Sequence, residues 1–386
     1  MTTSVHPHVE RDRADDPTRG LTHDLTRDRR DRPAQRPGRH RRDRVPADDL
    51  TVVIPAYDEA ASVADTVRSV LGQTTPPARV IVIDDCSTDG TGELARAAGA
   101  EVIRPEQNTG SKAGAQNLAL AQVTTAYTMA IDADTTLAPD AIELLLAPLA
   151  EDESVAAACG FVVPRHVSSV WERGRYVEYL LSFTFYKPTQ DYYGKPLIAS
   201  GCFSAYRTEV LREAGGWSER TRAEDMDLTW TFYQRGHRVR FVPEAVCYPI
   251  EPHDLDFMGK QLKRWSHGFV QNVRLHWRGI LPLPFLSTVV GVAMIDALVA
   301  SLVYLFVLPV LAVVVSPWVL AAYVVDVPAI LVPVLLAARR RGEVGKALAS
   351  IPAFLVLRTV NGVFMLRALW SEVVLRRPLL VYEKGH

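Results

Sequence analysis

The stretch LTVVIPAYDE at residues 50–59 decides the fold class of this 386-residue chain. Residues 50–55 form a short apolar run rich in β-branched side chains, which predicts a buried strand that ends where the polar residues begin. Residues 60–71 predict a helix that ends at Gly72, and residues 79–85 predict a second buried strand. Strand, helix and strand follow each other at the spacing of a βαβ unit.

The same alternation continues along the chain. Helices are predicted at 88–98 and 111–121, and strands at 101–104 and 126–131. Strands that alternate with helices of this length predict an α/β domain whose parallel sheet is covered on both faces. Ligands of such sheets bind beyond the carboxyl ends of the strands. Polar clusters fall at those ends, namely residues 57–59, 84–85 and 132–134, so we expect the site there.

Charge and cysteine content exclude several classes of protein. The chain has 43 Lys and Arg against 44 Asp and Glu, a net charge of -1, whereas a nucleic-acid binder has a marked basic excess. The four cysteines, Cys86, Cys159, Cys202 and Cys247, are widely spaced and form no CxxC pair. This spacing argues against a zinc ribbon, a thioredoxin-type site or a disulfide-rich scaffold, and it fits a reducing compartment.

Residues 1–49 differ in composition from the rest of the chain. They contain twelve arginines and ten acidic residues but almost no large apolar side chains, which predicts a disordered segment. The alternative function for these arginines is contact with anionic lipid headgroups. No apolar segment comes after the basic start, so we expect no secretory signal peptide here.

The last quarter of the chain is strongly apolar. Residues 285–315 contain one charged residue, Asp296, and would reach about 46 Å as a helix, longer than a bilayer core of about 30 Å. Residues 318–337 form a second apolar stretch, and residues 347–370 form a third that is interrupted by polar residues. We therefore predict two or three transmembrane helices within 285–370, with an interfacial helix as the alternative for the third.

Basic residues predict the orientation of these segments. The positive-inside rule places the arginines at 339–341 in the cytoplasm, and two crossings then place the α/β domain there too. A third crossing would put Arg376 and Arg377 of the tail, 371–386, on the outside, against the same rule. The number of spans is therefore two or three. The amphipathic region 253–284, before the first span, predicts an interfacial helix.

The motif at residues 132–134 predicts a cation site. The turn after the first strand has no glycine, so GxGxxG is absent, and no P-loop occurs either. Asp132 and Asp134 are two residues apart and project to the same side. Two close carboxylates repel each other unless a cation lies between them, and Mg²⁺ or Mn²⁺ held together with ligand phosphates meets this need. The alternative role for this pair is to cap a loop.

Three further acidic or basic clusters have two interpretations each. Asp84 and Asp85 bind a ligand or cap the following helix, a role that Ser87 and Thr88 would otherwise fill. The acidic residues 224–227 begin a predicted helix at 225–234, where they serve the helix dipole or supply a base for a hydroxyl. The QLKRW motif at 261–265 places Arg and Trp at headgroup level or in contact with substrate.

The order of the motifs resembles the membrane-bound family 2 glycosyltransferases, which include cellulose, hyaluronan and poly-N-acetylglucosamine synthases. The resemblance covers about residues 50–280, and apolar segments come next as in that family. The matching stretches are VVIPAYDE at 52–59, IDDCSTDG at 83–90, GSKAGAQN at 110–117, DAD at 132–134, SGCFSAYR at 200–207, ED at 224–225 and the QxxRW motif at 261–265.

The resemblance implies a fold and a set of residue roles. It implies a GT-A catalytic domain at 50–252, Rossmann-like with a mostly parallel sheet, followed by C-terminal transmembrane helices. Asp225, with Glu224, would act as the catalytic base, and Asp132 and Asp134 would bind Mg²⁺ or Mn²⁺. The nucleotide-sugar would contact Pro55, Tyr57, Glu59, Asp84, Asp85, Lys112, Asp132, Gln261 and Arg264. The acceptor would contact Gly201, Cys202 and Trp265.

The implied function is inverting transfer of a sugar, N-acetylglucosamine first, from a UDP-sugar to a growing β-linked glycan at a bacterial plasma membrane. The alternatives are a single addition to a polyprenyl-phosphate or glycolipid acceptor, and a catalytically silent membrane scaffold. Many such synthases carry spans before the catalytic domain, and residues 1–49 offer none. An export channel would therefore have to be built from the C-terminal spans or from partner membrane subunits.

Overall fold

The computed structural model describes residues 49–325 and 327–379. The predicted disordered segment at 1–49, apart from its last residue, lies outside the described residues. So does the tail from residue 380 onward.

The catalytic half of the described chain is built on one mixed sheet. Its eight strands are ordered β3-β2-β1-β4-β7-β6-β8-β5. Their bounds are β1 Leu50–Ala56, β2 Arg79–Asp84, β3 Glu101–Ile103, β4 Tyr127–Ile131, β5 Thr136–Leu137, β6 Val155–Val162, β7 Phe203–Arg207 and β8 Arg238–Tyr248. The four strands predicted from the sequence all form, and they pair in parallel as predicted.

Strand β7 runs against its neighbours. It pairs antiparallel with β4, with Met129 opposite Ala205, and antiparallel with β6. β6 and β8 are parallel to each other and β5 is antiparallel to β8, so the sheet is mostly parallel with one reversed strand at its centre and another at its edge. Because of this reversal, the start of β7 lies beside the carboxyl end of β4. The Asp132 amide accordingly donates a hydrogen bond to the Cys202 carbonyl over 3.4 Å.

Helices flank this sheet. They are α1 Val63–Leu71, α2 Thr91–Ala97, α3 Lys112–Leu120, α4 Ala141–Glu151, α5 Val170–Leu181, α6 Lys187–Tyr192, α7 Thr208–Glu213 and α8 Glu224–Gln234. The core between the layers contains fully buried strand residues such as Val52, Ile54 and Ile81. Each such side chain contributes about 1.5–3 kcal/mol of transfer free energy on burial.

Helices α1 and α2 each begin three residues later than predicted, because the loops before them bind each other. The Asp58 carboxylate accepts a hydrogen bond from the Thr88 amide over 2.7 Å, and the Asp58 amide donates to Ser87 Oγ over 3.0 Å. Asp89 accepts from the amides of Ala60 and Thr91. Of the alternatives that the sequence left open, capping of α2 by Ser87 and Thr88 is not observed, since both bond to the loop after β1.

Long helices follow the sheet. They are α9 Leu255–Ile280, α10 Pro284–Leu302, α11 Leu308–Val314, α12 Val327–Arg341 and α13 Val344–Leu369. A π-helical turn joins α10 to α11, and another extends α13 to Val374. Within the described residues, three helical segments are long and apolar enough to cross a membrane, namely Pro284–Val314, Pro317–Arg341 and Val344–Val374. The prediction of apolar helices after the α/β domain is confirmed.

Candidate active site

Two adjoining cavities lie at the carboxyl ends of the sheet strands. The sheet cavity, of about 440 Å³, lies over the ends of β1, β2 and β4. The helix cavity, of about 650 Å³, lies between α8, α9, α10 and α13. Both are lined by Lys112, Asp132, Asp134, Ile250, Gln261 and Arg264. These six shared residues join the two cavities into one continuous cleft.

Acidic side chains gather where the cavities meet. Asp132 and Asp134 follow β4 directly, as the sequence predicts. Burial raises the pKa of Asp134 to about 7, and the nearby carboxylates of Asp132, Glu59 and Glu251 contribute in the same direction. The negative charge around Asp134 is therefore not fully neutralised by positively charged side chains.

This donor set fits a cation that arrives with a diphosphate. Within residues 49–325 and 327–379, no group of three or more His, Cys, Asp or Glu side chains is arranged to hold a metal by itself. Mg²⁺ is usually held by one or two carboxylates together with substrate phosphates. Asp132 and Asp134 supply two carboxylates. The raised pKa of Asp134 indicates that a positive charge beside this carboxylate would be stabilised.

Lys112 is a mostly buried cation at the junction of the two cavities. It is the first residue of α3, and its ammonium forms an ion pair with Asp132 and lies 3.7 Å from Glu224 Oε1. It also donates a hydrogen bond to the Gly201 carbonyl over 3.2 Å. Burial lowers the pKa of Lys112, but the two carboxylates raise it well above its usual range, so the side chain stays charged.

Asp225 is held rigidly at the start of α8. Its carboxylate accepts hydrogen bonds from the Gly201 and Met226 amides, both over 2.8 Å. Burial raises its pKa to about 6, Glu224 adds to this, and Lys112 with the two amides opposes it. A Cβ at position 201 would lie 2.8 Å from Asp225 Oδ2, so only glycine permits this approach. The carboxylate is thus poised to change protonation near neutral pH.

The sheet cavity has an aromatic and acidic lining. Pro55, Tyr57, Glu59 and Asp85 line it, and Tyr57 is 41% exposed. The Asp85 carboxylate accepts two hydrogen bonds from Thr109, one from its amide over 2.7 Å and one from its hydroxyl over 2.8 Å. Asp85 therefore both faces the cavity and fixes the loop before α3.

Asp84 lies away from the cleft. It lines neither cavity, and its buried carboxylate forms an ion pair with Arg104 and accepts from the Ser87 amide over 3.0 Å. The carboxylate of Asp84 therefore stabilises the loop before α2, whereas the alternative to ligand binding that the sequence left open was capping of α2 itself.

The QxxRW motif lies on α9 and faces the cleft. Gln261 and Arg264 line both cavities, and Trp265, 37% exposed, lines the helix cavity. The other expected residues Gly201, Cys202, Glu224 and Asp225 line the helix cavity too. Apart from Asp84, all the residues predicted to form the site therefore line one cleft.

Arg175 on α5 is a site residue that the sequence analysis missed. It is fully buried, donates to Gln261 Oε1 over 2.7 Å, and its guanidinium carbon lies 4.4 Å from the centre of the Trp265 ring. It also pairs with Glu178 and lies 3.5 Å from Glu251. In the sequence, Arg175 is only a charged residue between Gly174 and Tyr176. That position does not identify the side chains that its guanidinium contacts.

With this geometry established, comparisons with known proteins show what the chain is similar to. Residues 51–215 match the family model described as Glycosyl transferase family 2. A mannosyltransferase from Pyrobaculum calidifontis, solved in complex with GDP-Man and Mn²⁺, superposes with a TM-score of 0.55 at 20% identity. The alignment covers 87% of this chain and 91% of that one. The fold is GT-A.

Curated relatives are more specific. A poly-β-1,6-N-acetyl-D-glucosamine synthase of Staphylococcus aureus (strain COL) is 28% identical over 222 residues, which are 57% of this chain and 54% of the relative. A synthase of the same name from Staphylococcus epidermidis is 27% identical over 223 residues, with the same coverage. The chain spans about half the length of the curated relatives that it matches.

Replacing Asp134 with Asn should stabilise the protein at pH 8 but not at pH 5. The raised pKa means that the folded state holds this proton more tightly than the unfolded chain, so stability falls as pH rises from about 4 through about 7. Asn carries no charge at either pH, so the variant does not lose this stability as the pH rises. We expect the variant's melting temperature at pH 8, without cation or nucleotide, to exceed the wild type by several degrees, since 1 kcal/mol shifts it by about 2–4 °C.

The control for this measurement is Asp140→Asn, an exposed residue before α4. It should leave the difference between pH 5 and pH 8 unchanged. Equal melting curves of Asp134→Asn and wild type at pH 8 would contradict the assignment of a destabilising charge to Asp134.

Proposed function

We propose that this chain transfers a sugar, N-acetylglucosamine first, from a UDP-sugar to a growing β-linked glycan. The reaction takes place at the cytoplasmic face of a bacterial plasma membrane. The observation that carries the proposal is the continuous cleft, which runs from the ends of β1, β2 and β4, past Asp225, to α10 and α13. The similarity to poly-β-1,6-N-acetyl-D-glucosamine synthases supports this choice of sugar.

The sheet cavity is the donor side. The Tyr57 ring offers a face for the uracil, and Asp85 has acceptor oxygens beside it. Lys112 and Arg264 place positive charge where the diphosphate would lie, and Arg264 can donate charge-assisted hydrogen bonds to it. Asp132 and Asp134 would hold Mg²⁺ or Mn²⁺, which when bound acts as a Lewis acid on the leaving diphosphate.

Asp225 carries the proton transfer. Its carboxylate takes the proton of the acceptor hydroxyl while the hydroxyl oxygen forms its bond to the anomeric carbon. The bond from that carbon to the phosphate oxygen breaks at the same time, and its electron pair leaves with UDP. A single displacement inverts the centre, so an α-linked donor gives a β-linkage. A pKa of about 6 suits a base that must be ionised at neutral pH and still attract a proton.

The helix cavity is the acceptor side. Trp265 presents an aromatic face for a sugar ring, and Gly201 and Cys202 form the wall next to Asp225. Arg175 holds both Gln261 and Trp265, so it keeps the motif oriented without itself touching the reacting atoms.

A second candidate is a single addition to a polyprenyl-phosphate or glycolipid acceptor. The observation that favours it is the far end of the helix cavity, where residues of two apolar helices, Ser301, Tyr304 and Thr359, complete the lining. An acceptor carried by a lipid could reach the cleft from there. A lipid that carries one added sugar would depend less on partner membrane subunits than an exported polymer does.

Release of UDP and the size of the product test both candidates. Purified full-length protein is incubated with UDP-GlcNAc, UDP-Glc, UDP-GlcA or UDP-GalNAc, with and without Mn²⁺, and with lipid extract. We expect UDP release from UDP-GlcNAc that depends on Mn²⁺, and a ladder of labelled products. One labelled lipid-linked sugar would instead support single addition. No UDP release from any donor would support a catalytically silent scaffold and overturn the proposal.

A further inference from the structure

The third apolar helix touches the catalytic domain at both of its ends. At its start, Glu343 Oε2 accepts a hydrogen bond from the Tyr176 hydroxyl on α5 over 2.8 Å, and Lys346 lies 4.7 Å from the centre of the same ring. At its end, Glu372 Oε1 lies 2.8 Å from His267 Nδ1 on α9 and accepts from Gln271 over 2.7 Å. Glu372 is fully buried by these contacts.

The middle of this helix follows the domain as well. A Cβ at Gly174 of α5 would lie 2.9 Å from the Ala353 carbonyl, and a Cβ at Gly259 of α9 would lie 3.3 Å from the Phe364 ring. Gly259 and His267 are eight residues apart on α9, and so are their partners Phe364 and Glu372. The two helices therefore run side by side in the same direction over this stretch.

These contacts are incompatible with a membrane crossing by α13. The segment Val344–Val374 has 31 residues, about 46 Å as a helix. If it crossed a hydrocarbon core of about 30 Å, its ends would lie on opposite faces of the bilayer. A domain confined to one face could then touch only one of them. The side chains that it touches, including those of Tyr176, His267 and Gln271, belong to α5 of the catalytic domain and to the amphipathic helix α9, which is held to the domain by the contact of His276 with Asp227.

The outward surface of α13 is mostly apolar, with Arg367 as an exposed charge beside it. Buried Ala353 and Leu357 pack against Gly174 of α5, and buried Gly362 packs against Ser301 of α10, whereas the opposite stripe is exposed. That stripe contains Leu348, Val356, Trp370 and Val374, which are between 47% and 59% exposed. Arginines flank the helix on both sides, at 339–341 before it and at 376–377 after it. An apolar stripe between basic ends is typical of a helix that lies in the boundary between headgroups and acyl chains.

We propose that α13 lies along the bilayer surface on the side of the catalytic domain, with Leu348, Val356, Trp370 and Val374 inserted into the lipid. The exposed stripe contacts lipid, because the same apolar surface continues into the hairpin formed by α10, α11 and α12. That hairpin leaves the domain after α9 and returns to it at Arg341, whose guanidinium carbon lies 4.4 Å from the centre of the Phe161 ring. In this arrangement residues 284–341 cross twice, and Arg376 and Arg377 stay on the side with the other arginines.

Reporter fusions to the full chain in a bacterial host test this arrangement without any reference to sugar transfer. Green fluorescent protein fluoresces only in the cytoplasm, and alkaline phosphatase is active only outside it. We expect fusions at residue 1 and at residue 386 to give fluorescent, phosphatase-inactive proteins. A phosphatase inserted after Ser316, at the tip of the hairpin, should be active. An active phosphatase at residue 386, or equal signals from both reporters there, would overturn the proposal.

A second measurement covers the case in which a fusion disturbs insertion. Arg274 of α9, which is half exposed, donates to the Glu372 carbonyl. The double variant Arg274→Cys/Val373→Cys should therefore cross-link with a short bismaleimide in intact membranes, whereas each single variant should not. Absence of the cross-link in membrane-inserted protein would also overturn the proposal, since a crossing helix holds these positions a bilayer apart.

Discussion

Replacing Asp225 with Asn lowers kcat for sugar transfer by about 10² to 10⁴, the usual contribution of a positioned base. Asn keeps the hydrogen bonds from the Gly201 and Met226 amides but cannot take the proton of the acceptor hydroxyl. Wild-type kcat should rise with pH through about 6, as the carboxylate of Asp225 loses its proton. The residual activity of the variant should lack this step. Initial rates between pH 5 and pH 8, with UDP binding measured separately, check both results.

Asp227→Asn on the same helix is the matched control. Asp227 lines neither cavity and is held by Arg220 and by His276 Nε2 over 2.6 Å. Burial raises its pKa, but the hydrogen bonds from Arg220 and His276 outweigh this and lower it to about 2. We expect lower thermal stability but a kcat within a few-fold of wild type and an unchanged pH profile. Near-normal transfer by Asp225→Asn would exclude it as the base.

Replacing Arg264 with Gln lowers kcat by about 10² to 10³, the cost of removing one preorganised donor from developing negative charge. Arg264 lines both cavities and lies close enough to Lys112 to affect its pKa, so it faces the place where the diphosphate would leave. The variant should also bind UDP more weakly, which inhibition of the wild type and variant by UDP measures.

Lys263→Gln removes the same charge from the adjacent position on α9. Lys263 lines neither cavity, so its replacement should leave kcat and UDP inhibition within a few-fold of wild type. If the two variants lose equal activity, the effect belongs to the overall charge of α9 and not to a contact with the leaving group.

Local sequence patterns predicted the half of the sheet that forms the sheet cavity. β1, β2 and β4 are short apolar runs with polar residues at their ends, so both the strands and the position of the cleft follow from periodicity. The starts of α1 and α2 were less predictable, because Ser87, Thr88 and Asp89 bond to a loop about thirty residues earlier. Such long-range bonds leave no periodic signal.

The remaining features depend on tertiary contacts. Apolar length leaves both a span and an interfacial helix open for α13, and the contacts of Glu343 and Glu372 carry our proposal of the second. Arg175 is similar, since an arginine in an amphipathic helix that also contains Arg173 gives no indication that it will hold Gln261 and Trp265. For Asp84 the sequence left open ligand binding or capping of the following helix, whereas its carboxylate binds Arg104 and the Ser87 amide.

The reversed strand β7 has a consequence for how specificity could change. In the proposed assignment, residues before β5 and residues of α9 form the donor pocket, whereas the segment from β7 through α8 lines only the helix cavity, and the two parts meet along the border between β4 and β7. Exchanging the segment from β7 through α8 for that of a related enzyme should therefore leave the choice of nucleotide in place and alter what receives the sugar. Enzymes that use the same nucleotide-sugar can therefore make different products while the residues that bind the pyrophosphate stay the same.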